Sequence, residues 1–414
     1  MDPGLAFSRV PCDFRPMMDP ETTTDVFLQA GRDKRIGAGH PWVYANEVRM
    51  DADAKAIPPG TPVRLCRVDG KPLALGTFNA HALICFRAFA HAEEPGVDRE
   101  LITDRLRHAL ALRARFFDAP YYRAVHGEAD GLPGLVVDRM GDVVVAQLST
   151  AGTEALREPI LAAIDEVLRP TAVVLRNDGA GRRLEGLADG IEVVKGSVNG
   201  PVEVQEGERR LLADPLGGQK TGWFFDQRGN REFVAGLCDG ARVLDLYAYA
   251  GPFAIAAVAV GAREVLAIDR SGPALDLVRE CAAQGGYAPR LGIQQGDAFE
   301  ALETMGSTHD TFDVAFCDPP AFAKSKREVG PAVRGYRKLA RMAARVVSPG
   351  GLLALSSCSH NVTSEAFLEA SARGIHRAGR GARLIRQAGA GPDHPIHPML
   401  PESAYLKSLV FQLD

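Results

Sequence analysis

From about residue 215 to the end of the chain, short apolar runs, several of them ending at an acid, alternate with longer segments of helical periodicity. Val243–Leu246, Glu264–Asp269, Val314–Asp318 and Leu352–Ser356 read as strands. Ala254–Val260, Pro273–Gln284, Arg334–Val347 and Ser364–His376 read as helices between them. Strands and helices in alternation pack best as a parallel sheet with helices on its faces, so an α/β fold is expected. Ligands of such sheets bind beyond the carboxyl ends of the strands, which is where the acids fall.

The pattern upstream is different. Residues 1–24 carry Pro, Met, Asp and Thr without periodicity and are expected to form a disordered tail. Over 25–95, β-type runs such as Val63–Val68 and Leu83–Phe89 are punctuated by Pro58-Pro59-Gly60 and Asp69-Gly70, as in a small β-rich module. Over 96–210 the types mix. A helix is expected at Asp98–Phe117 and another at Thr153–Leu168, with strands at Leu135–Asp138, Val143–Leu148 and Val173–Arg176. This reads as a central α+β unit, followed by the α/β domain over 211–414.

A chain of 414 residues has ample length for three such units. Its net charge is only −4, so a nucleic-acid partner would have to be met by a local basic patch. Seven cysteines with no C-x-x-C pair indicate neither a disulfide framework nor a zinc ribbon. The first residues lack the apolar core of a signal peptide. The longest apolar stretch, Tyr247–Ala262, is interrupted by Gly251 and Pro252 and is too short to cross a bilayer. A cytoplasmic protein with no membrane partner is expected. His394-Pro395-Ile396-His397 has no acid or thiol to complete a ligand set, so no metal is expected there.

Three strand ends carry the acids Asp245, Asp269 and Asp297. The loop after Asp245 has one glycine, Gly251, followed by Pro252, and lacks the G-x-G-x-x-G that lets a backbone approach a pyrophosphate. Its ligand is therefore expected to be free of phosphate, with an acid near an ammonium or sulfonium group. Asp269 lies 24 residues further on, the spacing of an acid that holds ribose hydroxyls, and Gly296-Asp297 follows after 28 more, where a carboxylate can face an adenine amino group. Any one of these acids alone reads equally well as a helix N-cap. The ordered set is that of S-adenosylmethionine contacts in class I methyltransferases.

Phe312–Phe322 is a strand ending in Asp318-Pro319-Pro320-Ala321-Phe322. Two prolines stiffen the exit, and an acid beside an aromatic suits a nucleobase, one binding its edge and the other its face. The next strand ends at Ser357-Cys358-Ser359. A lone cysteine is more often buried filler. At this strand end, however, a thiolate can add to carbon 6 of cytosine and make carbon 5 nucleophilic enough to accept a methyl group. Cys358 is accordingly the candidate nucleophile. The other thiols read as structural. Gly218–Arg228, containing Lys220-Thr221-Gly222, reads as a loop closing over cofactor and target; no S-x-x-K accompanies it to suggest a serine β-lactamase. Lys324, Lys326, Arg327, Arg334, Arg337 and Arg341 follow Phe322 directly and are expected to contact RNA phosphates.

Taken together, these motifs resemble the S-adenosylmethionine-dependent 23S rRNA (cytosine-5)-methyltransferases with an N-terminal PUA domain. The likeness covers residues 26–414 and rests on Gly39–Tyr44 (GHPWVY), Asp130–Arg139 (DGLPGLVVDR), KTG, DQR, Y-x-G-x-F, DPP-x-F, SCS, Asp393-His394-Pro395 and Tyr405-Leu406-Lys407. The resemblance implies a PUA-like β-barrel, a central α+β domain and a Rossmann-like methyltransferase domain. Carried over by position, Asp245, Tyr249, Gly251, Asp269, Ser271, Asp297 and Asp318 hold the donor, with Gln227 and Arg228 nearby. Asp318 and Cys358 perform the chemistry on large-subunit rRNA, and dimers are common. Pro252 replaces a second glycine of the family pattern, from which an altered loop is expected. Two other readings stay open: methylation of another base such as guanine N7, and a non-catalytic RNA-binding assembly factor. An adenine-N6 reading is weakened by Ala321 before Phe322.

Overall fold

In the computed structural model, which describes residues 23–414, the alternating region is a seven-stranded sheet. Its strands are β1 (Arg242–Leu246), β2 (Glu264–Asp269), β3 (Leu291–Gln295), β4 (Phe312–Cys317), β5 (Val347–Ser357), β6 (Ala382–Ala388) and β7 (Lys407–Leu413). Its helices are α1 (Arg228–Ala235), α2 (Pro252–Ala259), α3 (Gly272–Gln284), α4 (Ala298–Thr308), α5 (Val329–Arg345) and α6 (Ser364–Arg377). Across the sheet the order is β3-β2-β1-β4-β5-β7-β6. The first five strands are parallel. The chain winds outward from β1 to β3 and then returns to lay β4 on the other side of β1. That reversal opens a crevice at the carboxyl ends of β1 and β4.

The expected parallel sheet is thus correct for five strands and incomplete at one edge. β7 runs antiparallel to β5, and β6 antiparallel to β7. An antiparallel neighbour needs no crossover helix, so the strand–helix alternation that reveals the other strands is missing here. β3 escapes the apolar pattern and is announced only by its end before Asp297. It lies at the opposite edge, exposes alternate residues and contains Gly292 and two glutamines, so it is no apolar run.

Upstream, Asp25–Phe27, Trp42–Tyr44, Thr61–Cys66, Pro72–Phe78 and Ile84–His91 form a five-stranded sheet over Val63, Leu65, Phe78 and Phe86. Backbone bonds Gln29 N to Glu47 O (2.8 Å) and Arg49 N to Phe27 O (2.8 Å) draw its two edges together, giving the barrel-like module that was expected. The predicted tail lies almost wholly outside the described residues, as does Cys12.

The central sheet has five strands, ordered 190–195, 172–177, 143–148, 135–140 and 121–126. Period-2 alternation sorts its side chains between two cores. Val137, Ala146 and Leu175 pack with Ile102, Leu106 and Ile160. Met140, Val145 and Val174 share a core with Val204 and Leu211 of the hairpin 202–213 and with Val243 and Val265 of the α/β sheet. The hairpin therefore packs between the central sheet and the α/β domain. The expected single helix at Thr153–Leu168 is two, Ala151–Ala155 and Arg157–Leu168. Pro159 has no N–H to offer Ala155 four residues back, so the chain breaks at Leu156 (φ −91°, ψ 15°).

The central sheet is joined to the α/β domain by buried ions. Arg113 forks onto Asp130 (2.6 and 2.7 Å) and also donates to Asp393 O (2.8 Å). Asp393 accepts from Arg123 N (3.0 Å), while the Arg123 guanidinium forks onto Asp138 (2.8 Å twice), which takes the Thr221 hydroxyl as well (2.6 Å). Asp130 and Asp138, the two acids of DGLPGLVVDR, and Asp393 are therefore spent on this joint. Among the described residues no helix is long and apolar enough to cross a membrane.

Candidate active site

A cleft of about 350 Å³ opens at the carboxyl ends of β1, β2 and β4. Its floor is the loop from β1 into α2, which holds Tyr247 (φ 63°), Tyr249 (φ 52°) and Gly251 (φ 72°) in the left-handed region. Two of the three are not glycine, the kind of backbone strain that persists at functional sites. Gly251 has no substitute, because a Cβ there would meet Val278 at 2.8 Å. Pro252 opens α2 at the first helical position, so the altered loop expected from it is a tight turn into the helix. At the end of β2, Asp269 faces the cleft and accepts Tyr249 N (2.9 Å) on one oxygen and Ser271 N (2.8 Å) on the other. Each oxygen keeps a lone pair, and the carboxylate is fixed to receive two adjacent hydroxyls. Pro252, Phe253, Ile268, Ala298 and Phe316 form an apolar slot beside it, with the rings of Phe253 and Phe316 stacked. A nucleoside with a vicinal diol suits this half of the cleft.

The wall opposite comes from the segment before α1. Gly222 (φ 96°) lies so close to Asp214 O that a Cβ would sit 2.3 Å from it. The Tyr249 hydroxyl donates to Gly222 O (3.2 Å) and accepts from Gln219 N (3.2 Å), tying the KTG loop to the cleft floor. Lys220 Nζ stands over the rings of Phe224 (4.6 Å) and Tyr405 (5.9 Å). Gln227 gives its amide oxygen to Asn230 (2.7 Å) and leaves its buried Nε2 without a partner, a donor provided for a ligand acceptor. Arg231 is held by Glu206 of the hairpin (Nε to Oε2 3.0 Å) and by Phe224 O (3.0 Å).

The reactive end joins the exits of β4 and β5. Ser357 and Ser359 turn away from the cleft, as alternate residues of a strand must, and both meet the Tyr336 hydroxyl of α5 (2.9 and 2.8 Å). Ser359 Oγ also accepts Ala323 N (3.2 Å), so the two exit loops are pinned together. Buried Lys407 donates to Ser359 O (2.8 Å) and Val362 O (2.7 Å). Cys358, between the serines, points the other way and lies on the cleft wall with Asp318. Burial, and then the Asp318 charge, raise the Cys358 thiol above its ordinary range, with Lys220 opposing. Burial lifts Asp318 to about 7. Asp226 pushes the same way, and Gln227, Lys220 and Arg231 oppose.

Of the residues expected to hold the cofactor, Gln227, Tyr249, Asp269 and Asp318 line the cleft, and Asp245, Gly251, Ser271, Asp297 and Arg228 do not. Asp245 is buried behind the loop, accepting Ala254 N (3.0 Å) in the first turn of α2, and its burial raises the carboxyl well above the usual range. Asp297 caps α4 through Phe299 N (2.8 Å) and Glu300 N (3.1 Å) and pairs with Arg270, while its neighbours Gly296 and Ala298 form the wall. Ser271 caps α3. Arg228 turns to the central domain, donating to Tyr121 O and lying over Phe117 (4.8 Å). Phe322 packs on Tyr336 (4.7 Å between centroids) rather than on the wall. Lys220 and Asp226 are wall residues from the Gly218–Arg228 segment read as a loop over cofactor and target, without a role of their own there, and Arg231 lies beyond that segment. The DQR motif held the signal: Asp226 adjoins Gln227, and Arg231 lies one helical turn beyond it.

Beyond the cleft, Lys324, Lys326, Arg327 and Arg334 are exposed and Arg337 and Arg341 half-buried along α5 and its approach. None of the six forms an ion pair among the described residues. Glu328, the one acid in the run, is occupied by Lys324 N (2.7 Å) and Ser325 N (2.9 Å).

Residues 189–412 match the family model described as S-adenosylmethionine-dependent methyltransferase, and residues 26–91 match a PUA-like domain. A protein of Aeromonas hydrophila named ribosomal RNA large subunit methyltransferase I is 34% identical over 394 residues, covering 94% of this chain and 99% of its own length. A chain of that name from Erwinia tasmaniensis is 32% identical, covering 93% and 98%. A Streptococcus mutans structure described as a SAM-dependent methyltransferase superposes with a TM-score of 0.79 at 18% identity, over 94% of this chain and all of that one, a likeness of fold.

Proposed function

The chain belongs to the S-adenosylmethionine-dependent methyltransferases, in the group of the ribosomal RNA large subunit methyltransferases I, and from that premise we propose that it forms 5-methylcytosine in large-subunit rRNA through a covalent adduct at Cys358. The residues present fit the donor: Asp269 for the ribose hydroxyls, the Phe253–Phe316 slot for the adenine, and unpartnered Gln227 Nε2 for an acceptor atom. Bound there, S-adenosylmethionine supplies an electrophilic methyl group on a sulfonium. Everything else falls to the chain's own side chains.

One observation carries the reading: a thiol shares the cleft wall with the donor-site acid Asp269 and with a carboxyl that burial keeps protonated near neutrality. Thiolate addition to carbon 6 of cytosine drives charge onto nitrogen 3. Asp318 in its acid form supplies the proton that neutralises it. Guanine N7 is already nucleophilic and needs no thiol. The test is nucleoside mass spectrometry of large-subunit rRNA methylated by the purified protein. 5-Methylcytidine is expected, and 7-methylguanosine in its place overturns the reading.

Two further outcomes follow from the same site. Asp269→Ala removes both acceptors offered to the diol, and isothermal titration is expected to record donor affinity about 10- to 100-fold weaker. Unchanged affinity would remove Asp269 from the donor site. Reversing Arg334, Arg337 and Arg341 to glutamate is expected to weaken RNA binding and to flatten the slope of log K against log salt by about 2. A slope equal to that of the unaltered protein would make the basic face incidental.

A further inference from the structure

Methylation of carbon 5 leaves a hydrogen on that carbon that must be removed before the enzyme can release its product, and the reaction so far assigns it no acceptor. We propose that Asp226 is the base that takes the carbon-5 proton, an inference that rests on the cytosine-5 reading above. Asp226 lies on the same wall as Asp318 and Cys358 and is 4% exposed. Its Oδ2 accepts the Tyr405 hydroxyl at 2.6 Å, and its buried Oδ1 has no partner. Gly391 N, donating to Asp226 O (3.1 Å), fixes the backbone, and Tyr405 is itself braced by the ring of His360 (5.3 Å between centroids). The carboxylate therefore holds one oxygen whose lone pairs nothing in the protein uses.

The other groups on the wall are committed. Asp269 is turned to the backbone amides beside the diol site, Cys358 is bonded to carbon 6, and Asp318, having given its proton to nitrogen 3, is held there to take it back when the adduct breaks down. Lys220 as an ammonium ion has no lone pair. The two carboxyls are also driven apart by their surroundings, which is how one site assigns an acid and a base. Burial works to raise Asp226, but Lys220, His394 and the Tyr405 hydroxyl outweigh it and hold the group well below the ordinary range. When Oδ1 takes the proton, the carbon–hydrogen pair becomes the carbon 5–carbon 6 double bond. As that bond forms the carbon 6–sulfur bond breaks, sulfur keeps its electrons, and the proton on nitrogen 3 returns to Asp318.

Asp226→Asn tests this with ordinary cytosine RNA. About one methyl group per enzyme is expected to transfer, with the RNA left attached to Cys358 as a methyl-labelled band that survives denaturing electrophoresis. Multiple turnover falls about 10²- to 10⁴-fold, and tritium release from carbon-5-tritiated cytidine falls with it. Turnover within threefold of the unaltered protein overturns the inference, as does loss of the first methyl transfer while donor binding persists. RNA carrying 5-fluorocytidine separates the two levels, because fluorine cannot leave as a proton. If the unaltered protein forms no adduct with it, the cytosine-5 reading fails; an adduct there together with a freely turning-over Asp226→Asn protein defeats this inference alone. Should asparagine cost the fold, recognised by lost donor binding, Tyr405→Phe carries the test. It keeps the carboxylate but removes the bond that fixes it, so the ratio of adduct to released product is expected to rise between pH 7 and 8, where the thiolate still forms, and a ratio equal to that of the unaltered protein overturns the assignment.

Discussion

Cys358→Ala is expected to lower the rate of methyl transfer by a factor of about 10⁴ or more while donor affinity stays within about twofold. The size of the effect comes from the substrate. Carbon 5 of cytosine is too weak a nucleophile to attack even a sulfonium methyl group until carbon 6 has been saturated, and no other side chain on the wall can form that bond. The small change in binding follows from position, since Cys358 lies at the exit of β5 while the diol is met by Asp269 of β2 and the adenine slot is built on α2, β2, α4 and Phe316 of β4. Folding should survive too, because Ser357, Ser359 and Tyr336 hold the loop without the sulfur. Cys358→Ser is expected to be equally inactive, as a serine hydroxyl is far harder to ionise, while retaining RNA. Turnover close to that of the unaltered protein in either variant would remove the covalent route and leave the donor site standing.

The strand ends that carry Asp269, Asp318 and Cys358 were legible because parallel topology alone sends every such residue to the same side of the sheet. What spacing could not decide is which way a side chain turns once it arrives. Asp245 and Asp297 stand at strand-to-helix junctions like Asp269, but each spends its carboxylate on the first amides of the following helix, and a cap and a ligand contact look alike in one dimension. Arg228 follows Gln227 directly, yet the start of α1 turns it toward Tyr121 and Phe117 of another domain. Lys220 and Asp226 come from a segment outside the sheet. The segment reads as a loop over the site, but the contacts that seat these two side chains, Tyr249 with Gly222 and Gln219 and Tyr405 with Asp226, are long-range ones that no local periodicity announces. The same holds for Asp130, Asp138 and Asp393. Their motifs resemble functional ones, and their acids are consumed in joining two domains beneath the site.

Asp318→Asn probes the proton that moves with the thiolate. Addition to carbon 6 needs Cys358 ionised and Asp318 protonated, a state of the pair that holds one proton in all. Below about pH 7 both groups carry protons and the thiolate is lost, so kcat/KM of the unaltered protein is expected to rise with pH through about 7 and then level off. Asparagine cannot supply the proton, and the rate is expected to fall about 10²- to 10³-fold. The acid limb then moves to the higher pH at which Cys358 ionises by itself. Stability offers a second readout with a definite sign. The folded-state value of about 7 lies above the ordinary 3.8, so the folded protein binds the extra proton between them. The stability that this proton contributes is complete below about pH 4 and is lost as pH rises through 7. The neutral amide has no such dependence, so melting curves at pH 5 and pH 8 should show the variant gaining on the unaltered protein as pH rises. Parallel shifts of both proteins with pH, together with an acid limb left at the same place, would mean that Asp318 is ionised throughout and that nitrogen 3 takes its proton from elsewhere.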